Sequence, residues 1–316
     1  MNVKIIIIPC LLIFWLLGCG DNTSSNTEPV QVIDNPLHYF GFAAIDCSFD
    51  DPTDTETKTN YVDEVSSFTN IGQMCVFEPN EVMGERLSNF RQSGIKAMLH
   101  IESILFEHNN DPSTGSGTKI SLRGDANIRW STFVELNKAV LTAQDIAAIY
   151  VVDEPVWNGL SYAEFSAALH IVKSTFPNIP TMMIEAYPVI DQVMVTDELD
   201  WLGFDRYDTV DPENDQAWKS DFSVVEAALT NSEQKIIIVA STQWLPYYLD
   251  AEIKPEDMEK VIKSYYHVAK SHTNVIALIG YLWPSGLDDP QQIGARNLPE
   301  NVKQSLENIG KNIILH

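Results

Sequence analysis

The sequence predicts a (β/α)8 barrel, an α/β fold of a single domain, and three observations carry that prediction. From residue 38 to about 310 short apolar runs alternate with longer helical stretches, with little interruption, and eight such strand-like runs occur. The run 146–152 is apolar almost throughout, as expected of a parallel strand covered on both faces. Third, no Gly-rich phosphate loop follows the first strand, which disfavours an open doubly wound sheet and removes the case for a dinucleotide cofactor.

The elements follow in order. The first strand is expected over residues 38–49 and a helix over 58–69. The second strand, 71–78, leads to a helix over 81–92, and Gly94 stands where a glycine often ends a helix. The third strand, 95–103, is followed by a long loop over 104–126, whose tip Pro112-Ser-Thr-Gly-Ser-Gly117 reads as flexible and shapes one rim of the mouth. A helix over 127–144 precedes the fourth strand, which Pro155 stops because proline has no N–H to offer the ladder. A helix over 162–176 ends before Pro177 and Pro180. The fifth and sixth strands are placed at 181–187 and 199–207, then a helix near 222–229. The seventh strand is 235–241, with a helix over 255–271; the eighth is 275–283, with a last helix over 299–309.

The N-terminus reads as a targeting segment. Lys4 precedes an apolar run from Ile5 to Leu17, too short for an ordinary membrane-spanning helix. The run ends in Leu16-Leu17-Gly18-Cys19, which resembles a bacterial lipobox. That resemblance implies a signal peptide over 1–18, lipidation of Cys19, and a membrane anchor at the cell envelope. Gly20 stands where an aspartate resembles an inner-membrane retention signal, so the outer membrane is expected where the cell has one. Residues 19–36, rich in Ser, Thr, Asn and Asp, read as a flexible tether, and the barrel spans 37–316. Cys47 and Cys75 remain in the folded part, on neighbouring strands; a disulfide and two buried thiols are both compatible with that placement.

Charge bounds the partners. A formal net charge of −24 and no basic run beyond the first residues exclude a nucleic-acid surface. No His or Cys spacing resembles a metal site, and no cofactor is expected.

In a parallel barrel the site is built at the C-terminal strand ends. Read in order these offer Asp46, Glu78, His100 with Glu102, Asp153 with Glu154, Glu185 with Tyr187, Asp205 with Tyr207, Gln243 with Trp244, and Tyr281 with Trp283. Carboxylates and aromatics dominate, a combination suited to carbohydrate: aromatic faces stack on sugar C–H faces, and carboxyls supply acid and base. Asp153-Glu154-Pro155 after an apolar fourth strand resembles the Asn-Glu-Pro end of strand four in the large clan of retaining (β/α)8 glycoside hydrolases. The resemblance implies Glu154 as acid/base, with Asp153 at the clan's Asn position and Tyr187 and Trp283 at positions of sugar-stacking aromatics. The clan places its nucleophilic Glu at the end of strand seven, where this chain has Gln243. Asp205, Glu185 and Glu102 are the candidates for a second carboxylate. An inverting mechanism is a further option, and so is a barrel that binds glycan without cleaving it. The adjacent Asp153-Glu154 pair also resembles that of substrate-assisted hexosaminidases, in which the Asp orients an acetamido group. Because strand neighbours face opposite ways, Glu154 is expected at the mouth with Asp153 turned towards neighbouring strands.

Overall fold

The computed structural model describes residues 37–315; the expected signal segment, tether and Cys19 lie outside the described residues. Eight parallel strands close into a barrel. In chain order they are β1 (Tyr39–Asp46), β2 (Ile71–Cys75), β3 (Lys96–His100), β6 (Ile146–Asp153), β7 (Thr181–Ala186), β8 (Trp201–Asp205), β9 (Lys235–Ser241) and β10 (Val275–Tyr281). The loop after β3 carries an antiparallel hairpin of its own, β4 (Phe106–Asn110) and β5 (Thr118–Leu122). The hairpin occupies the segment that the sequence presents as a long loop.

The helical layer is less regular than one helix per strand. The turns α1 (Val62–Val65) and α3 (Glu102–Leu105) are short, whereas α2 (Gly84–Gln92), α4 (Ala126–Asn137) and α5 (Tyr162–Thr175) are full helices. So are α6 (Gln216–Ala228), α7 (Met258–Ser271) and α8 (Glu300–Ile314). Among the described residues no α-helix joins β7 to β8; a 3-10 segment, Tyr187–Gln192, does so. Local chemistry sets several starts. Ser161 and Glu164 form a reciprocal capping box on α5. Asp215 accepts the backbone N–H groups of Ala217 and Trp218, so α6 begins at 216 rather than near 222.

Two apolar layers follow from strand alternation. Ile71, Met98, Ala148, Met182, Ile237 and Ala277 fill the barrel interior. Phe42, Leu99, Ile149, Phe204, Ile238 and Leu278 pack outward, in one cluster with Phe165 of α5, Phe222 of α6 and Leu306 of α8. A disulfide joins Cys47 to Cys75 and ties the chain just after β1 to the end of β2.

Candidate active site

β6 breaks its own alternation, and that break builds the site. Its pairing with β7 shifts register between Tyr150 and Val152. Tyr150 belongs to the interior layer, whereas Val151 and Val152 both pack outward. Asp153 then returns to the mouth. Glu154 adopts φ +45°, a left-handed conformation uncommon for a residue with a Cβ. Asp153 and Glu154 consequently line the same cavity. This corrects the expectation that strand parity would turn Asp153 away: parity holds only while the strand is regular.

The cavity measures about 360 Å3. Its floor is apolar, with Met98, Ile184, Val239 and Ile279; its polar wall is Gln73, Tyr150, Asp153, Glu154, Asp205, Tyr207, Tyr281 and Asp288. Tyr150 donates its hydroxyl proton to Asp153. Tyr207 donates to Asp205 at 3.1 Å, and Tyr281 to both oxygens of Asp288 at 2.9 and 2.8 Å. The rings of Tyr207 and Tyr281 stack with centroids 5.1 Å apart.

The electrostatics follow from burial. Glu154 is pushed well above the usual carboxyl range, by desolvation first and then by the charges of Asp153, Asp205 and Glu185. Asp205 lines the same cavity, and burial and the Asp153 charge raise its pKa as well. Asp153 is raised by burial and by Glu102, against the opposing hydrogen bond from Tyr150. Three carboxyls this close cannot all ionise, so the cluster keeps protons at neutral pH.

Glu102 stands behind this cluster. It accepts the backbone N–H of Asp153 at 2.6 Å and lies 2.8 Å from His108 Nε2 and 3.5 Å from His100 Nε2. Despite its burial these partners hold its pKa at about 2, and Glu102 in turn raises that of His108. His100 stacks on Tyr150 at 4.2 Å and meets Gln73 Nε2 at 3.0 Å. His100 and Glu102 therefore support Asp153 and Tyr150 and face a neighbouring hollow rather than the carboxyl cavity.

Other candidates lie elsewhere. Glu185 is fully buried beneath the loop after β6, where it accepts the N–H groups of Val156 (2.9 Å), Trp157 (3.2 Å) and Ala186 (3.2 Å). Burial raises its pKa to about 7. Asp46 is bound by Arg86 at 2.8 Å, and Glu78 is exposed beside Arg129. Tyr187 begins the 3-10 segment after β7 and packs under the Arg206 guanidinium at 4.7 Å, outside the cavity. Gln243 is buried and accepts from Gln292; Trp244 donates Nε1–H to Ile253. Trp283 packs outward on Phe42 and Phe68 and donates Nε1–H to Glu64 at 2.7 Å, because β10 ends at Tyr281 and the alternation does not reach residue 283. Tyr281 occupies the position at the mouth instead.

The sequence reading missed Gln73, Tyr150 and Asp288. Tyr150 carried a signal, a lone hydroxyl inside an otherwise apolar run. Asp288 lies in the loop after β10 and carried none. No cluster of metal-binding side chains occurs among the described residues.

No protein-family model and no curated protein sequence matches the chain. Solved structures do. It is similar to a glucosidase from Croceicoccus marinus at 13% identity and TM-score 0.59, over 88% of this chain and 68% of that one. A GH113 β-1,4-mannanase aligns at 13% identity and TM-score 0.55, over 88% and 99%. Xylanase 10B from Thermotoga maritima aligns at 10% identity and TM-score 0.53, over 90% and 98%. The shared feature is the barrel fold, which these glycoside hydrolases also have.

Proposed function

We propose that the chain is a glycoside hydrolase acting on an oligo- or polysaccharide, with Glu154 as general acid. The observation that supports this reading most is the convergence of Asp153, Glu154 and Asp205 in one cavity at the barrel mouth, where burial raises the Glu154 pKa. Glu154 gives its proton to the glycosidic oxygen, and the C–O bond breaks as positive charge develops on the sugar. An ionised Asp153 or Asp205 stabilises that charge. Water then adds its hydroxyl to the anomeric carbon and returns the proton.

A second reading has its own support. Because Asp153 faces the same cavity as Glu154, the pair fits a substrate-assisted hydrolase in which Asp153 holds an acetamido group. A third, glycan binding without cleavage, draws on Gln243 in place of a strand-seven Glu.

The test is hydrolysis of a polysaccharide panel by residues 36–316, with Glu154→Gln alongside. Loss of an acid catalyst lowers the rate by about 10²–10⁴. Wild-type turnover that the substitution leaves intact would remove Glu154 from the chemistry. Cleavage confined to 2-acetamido sugars selects the second reading, and binding without cleavage by wild type selects the third.

We further propose a lipid anchor through Cys19 at the bacterial cell envelope. Its support is the segment Leu16-Leu17-Gly18-Cys19 after a short apolar run. Radiolabelled palmitate incorporated by the full chain in a bacterial host, and lost in Cys19→Ala, is the expected result; equal labelling of both would refute it.

A further inference from the structure

Beside the carboxyl cavity lies a second hollow of about 370 Å3. The two share Gln73, Asp153 and Tyr281 in their linings, so they adjoin. Residues just after β1 and β2, joined by the Cys47–Cys75 disulfide, form its outer side. Phe77 and Leu287 stand at it with 43% and 40% of their surface exposed, although the chain buries most of its large apolar side chains. Each hollow alone is at the small end of the ~300–1,000 Å3 range of ligand pockets, and together they suit a ligand of more than one ring.

Chemistry gives the hollow a direction. Glu154 and Asp205 line the first cavity and not the second. The leaving group must sit where Glu154 can protonate its oxygen. Asp153, a charge-stabilising candidate for the reacting sugar, lines both hollows, so the second one adjoins the side of that sugar away from the oxygen that Glu154 protonates. The lining suits a neutral ring: apolar faces from Phe49, Phe77 and Leu287 stand with the amide of Gln73 and the hydroxyls of Ser48 and Ser103. Two carboxyls, Asp153 and Glu102, line the hollow and no Lys or Arg does, which disfavours an acidic sugar there.

We propose that this hollow is a binding site for a second, neutral sugar on the non-leaving side of the reacting one. The substrate then carries at least two linked rings in the protein, and single-sugar glycosides are poor substrates. The proposal rests on the glycosidase reading for its direction, while the binding site itself can be tested without turnover.

The experiment uses Glu154→Gln protein and calorimetric titration with cellobiose, xylobiose, mannobiose and laminaribiose, against glucose, xylose and mannose. At least one disaccharide is expected to bind about tenfold or more tighter than its monosaccharide. Adding Phe77→Ala, and separately Leu287→Ser, should narrow that ratio by several-fold; both side chains are substantially exposed, so the barrel core is untouched. The proposal is overturned if monosaccharides bind as tightly as disaccharides, if none of the disaccharides binds, or if neither substitution changes the ratio. Wild-type hydrolysis is scored separately. A disaccharide preference without any cleavage sinks the hydrolase reading and keeps the site, whereas cleavage of single-sugar glycosides with no such preference does the reverse.

Discussion

Asp153 is governed by opposing forces at the scale of single atoms. Burial and the Glu102 charge favour its neutral form, and the Tyr150 hydroxyl favours the carboxylate. Tyr150 is itself buried and held far above the usual phenol pKa, so it remains a donor at every working pH. Removing the hydroxyl takes away the hydrogen bond to the Asp153 carboxylate and leaves its backbone bond to Glu102 in place. Tyr150→Phe is therefore expected to raise the Asp153 pKa by about one unit. If hydrolysis needs ionised Asp153, the acid limb of kcat/KM moves to higher pH by the same amount while the limb set by Glu154 stays. A pH-rate profile of the variant beside wild type measures this. An unshifted acid limb would show that Asp153 has no ionisation role. The Glu154 backbone belongs to the same scale: a left-handed residue with a side chain carries about 1–3 kcal/mol of strain. That strain is the cost of aiming two consecutive carboxyls into one cavity.

At the scale of elements, regular periodicity was legible and its interruptions were not. The apolar runs at 146–152 and 235–241 identify β6 and β9 closely, because strands covered on both faces have few sequences open to them. Asp153, Glu154 and Asp205 were found because they stand where such runs stop. What escaped depends on the third dimension. A one-residue register shift in β6 reversed the facing of Asp153. The end of β10 at Tyr281 sent Trp283 into the layer behind the barrel. The hairpin β4–β5 has weak strand chemistry, Phe106-Glu-His-Asn-Asn110 against Thr118-Lys-Ile-Ser-Leu122, and gains its order by docking. Gly115 donates to Trp157 O at 3.0 Å, Ile120 donates to Asn158 O at 2.9 Å, and an added Cβ at Gly115 would meet the Trp157 ring at 2.3 Å. The hairpin thus braces the loop that follows Glu154, and His108 reaches Glu102 from it. A rim loop in the sequence is part of the site's support in the fold.

For the molecule as a whole, the same carboxyls that make an acid site set a pH dependence of stability. Glu185 rises from an ordinary 4.5 to about 7 through burial, so the folded chain holds a proton that the unfolded chain releases above pH 4.5. Its contribution is complete below pH 4.5 and fades as pH rises through 7, by on the order of 3 kcal/mol. Asp153, Glu154 and Asp205 shift in the same direction. Glu102 works the other way: held at about 2 by its partners, it stabilises the fold above pH 4.5 and loses that effect as pH falls towards 2. The formal charge of −24 at pH 7 adds self-repulsion at higher pH. These slopes meet on the mildly acidic side of neutrality, so Tm is expected to peak near pH 5 and to fall steadily to pH 8. Thermal unfolding at constant ionic strength across pH 4–9 tests this. Glu185→Gln removes the titration but keeps only one of the two acceptor oxygens, since Val156 donates to Oε2 and Trp157 to Oε1; it should lower Tm overall and flatten the fall between pH 5 and 7. A Tm that climbs through pH 8 in both proteins would mean that the buried carboxyls are ionised in the fold, and Glu154 would then have no proton to give.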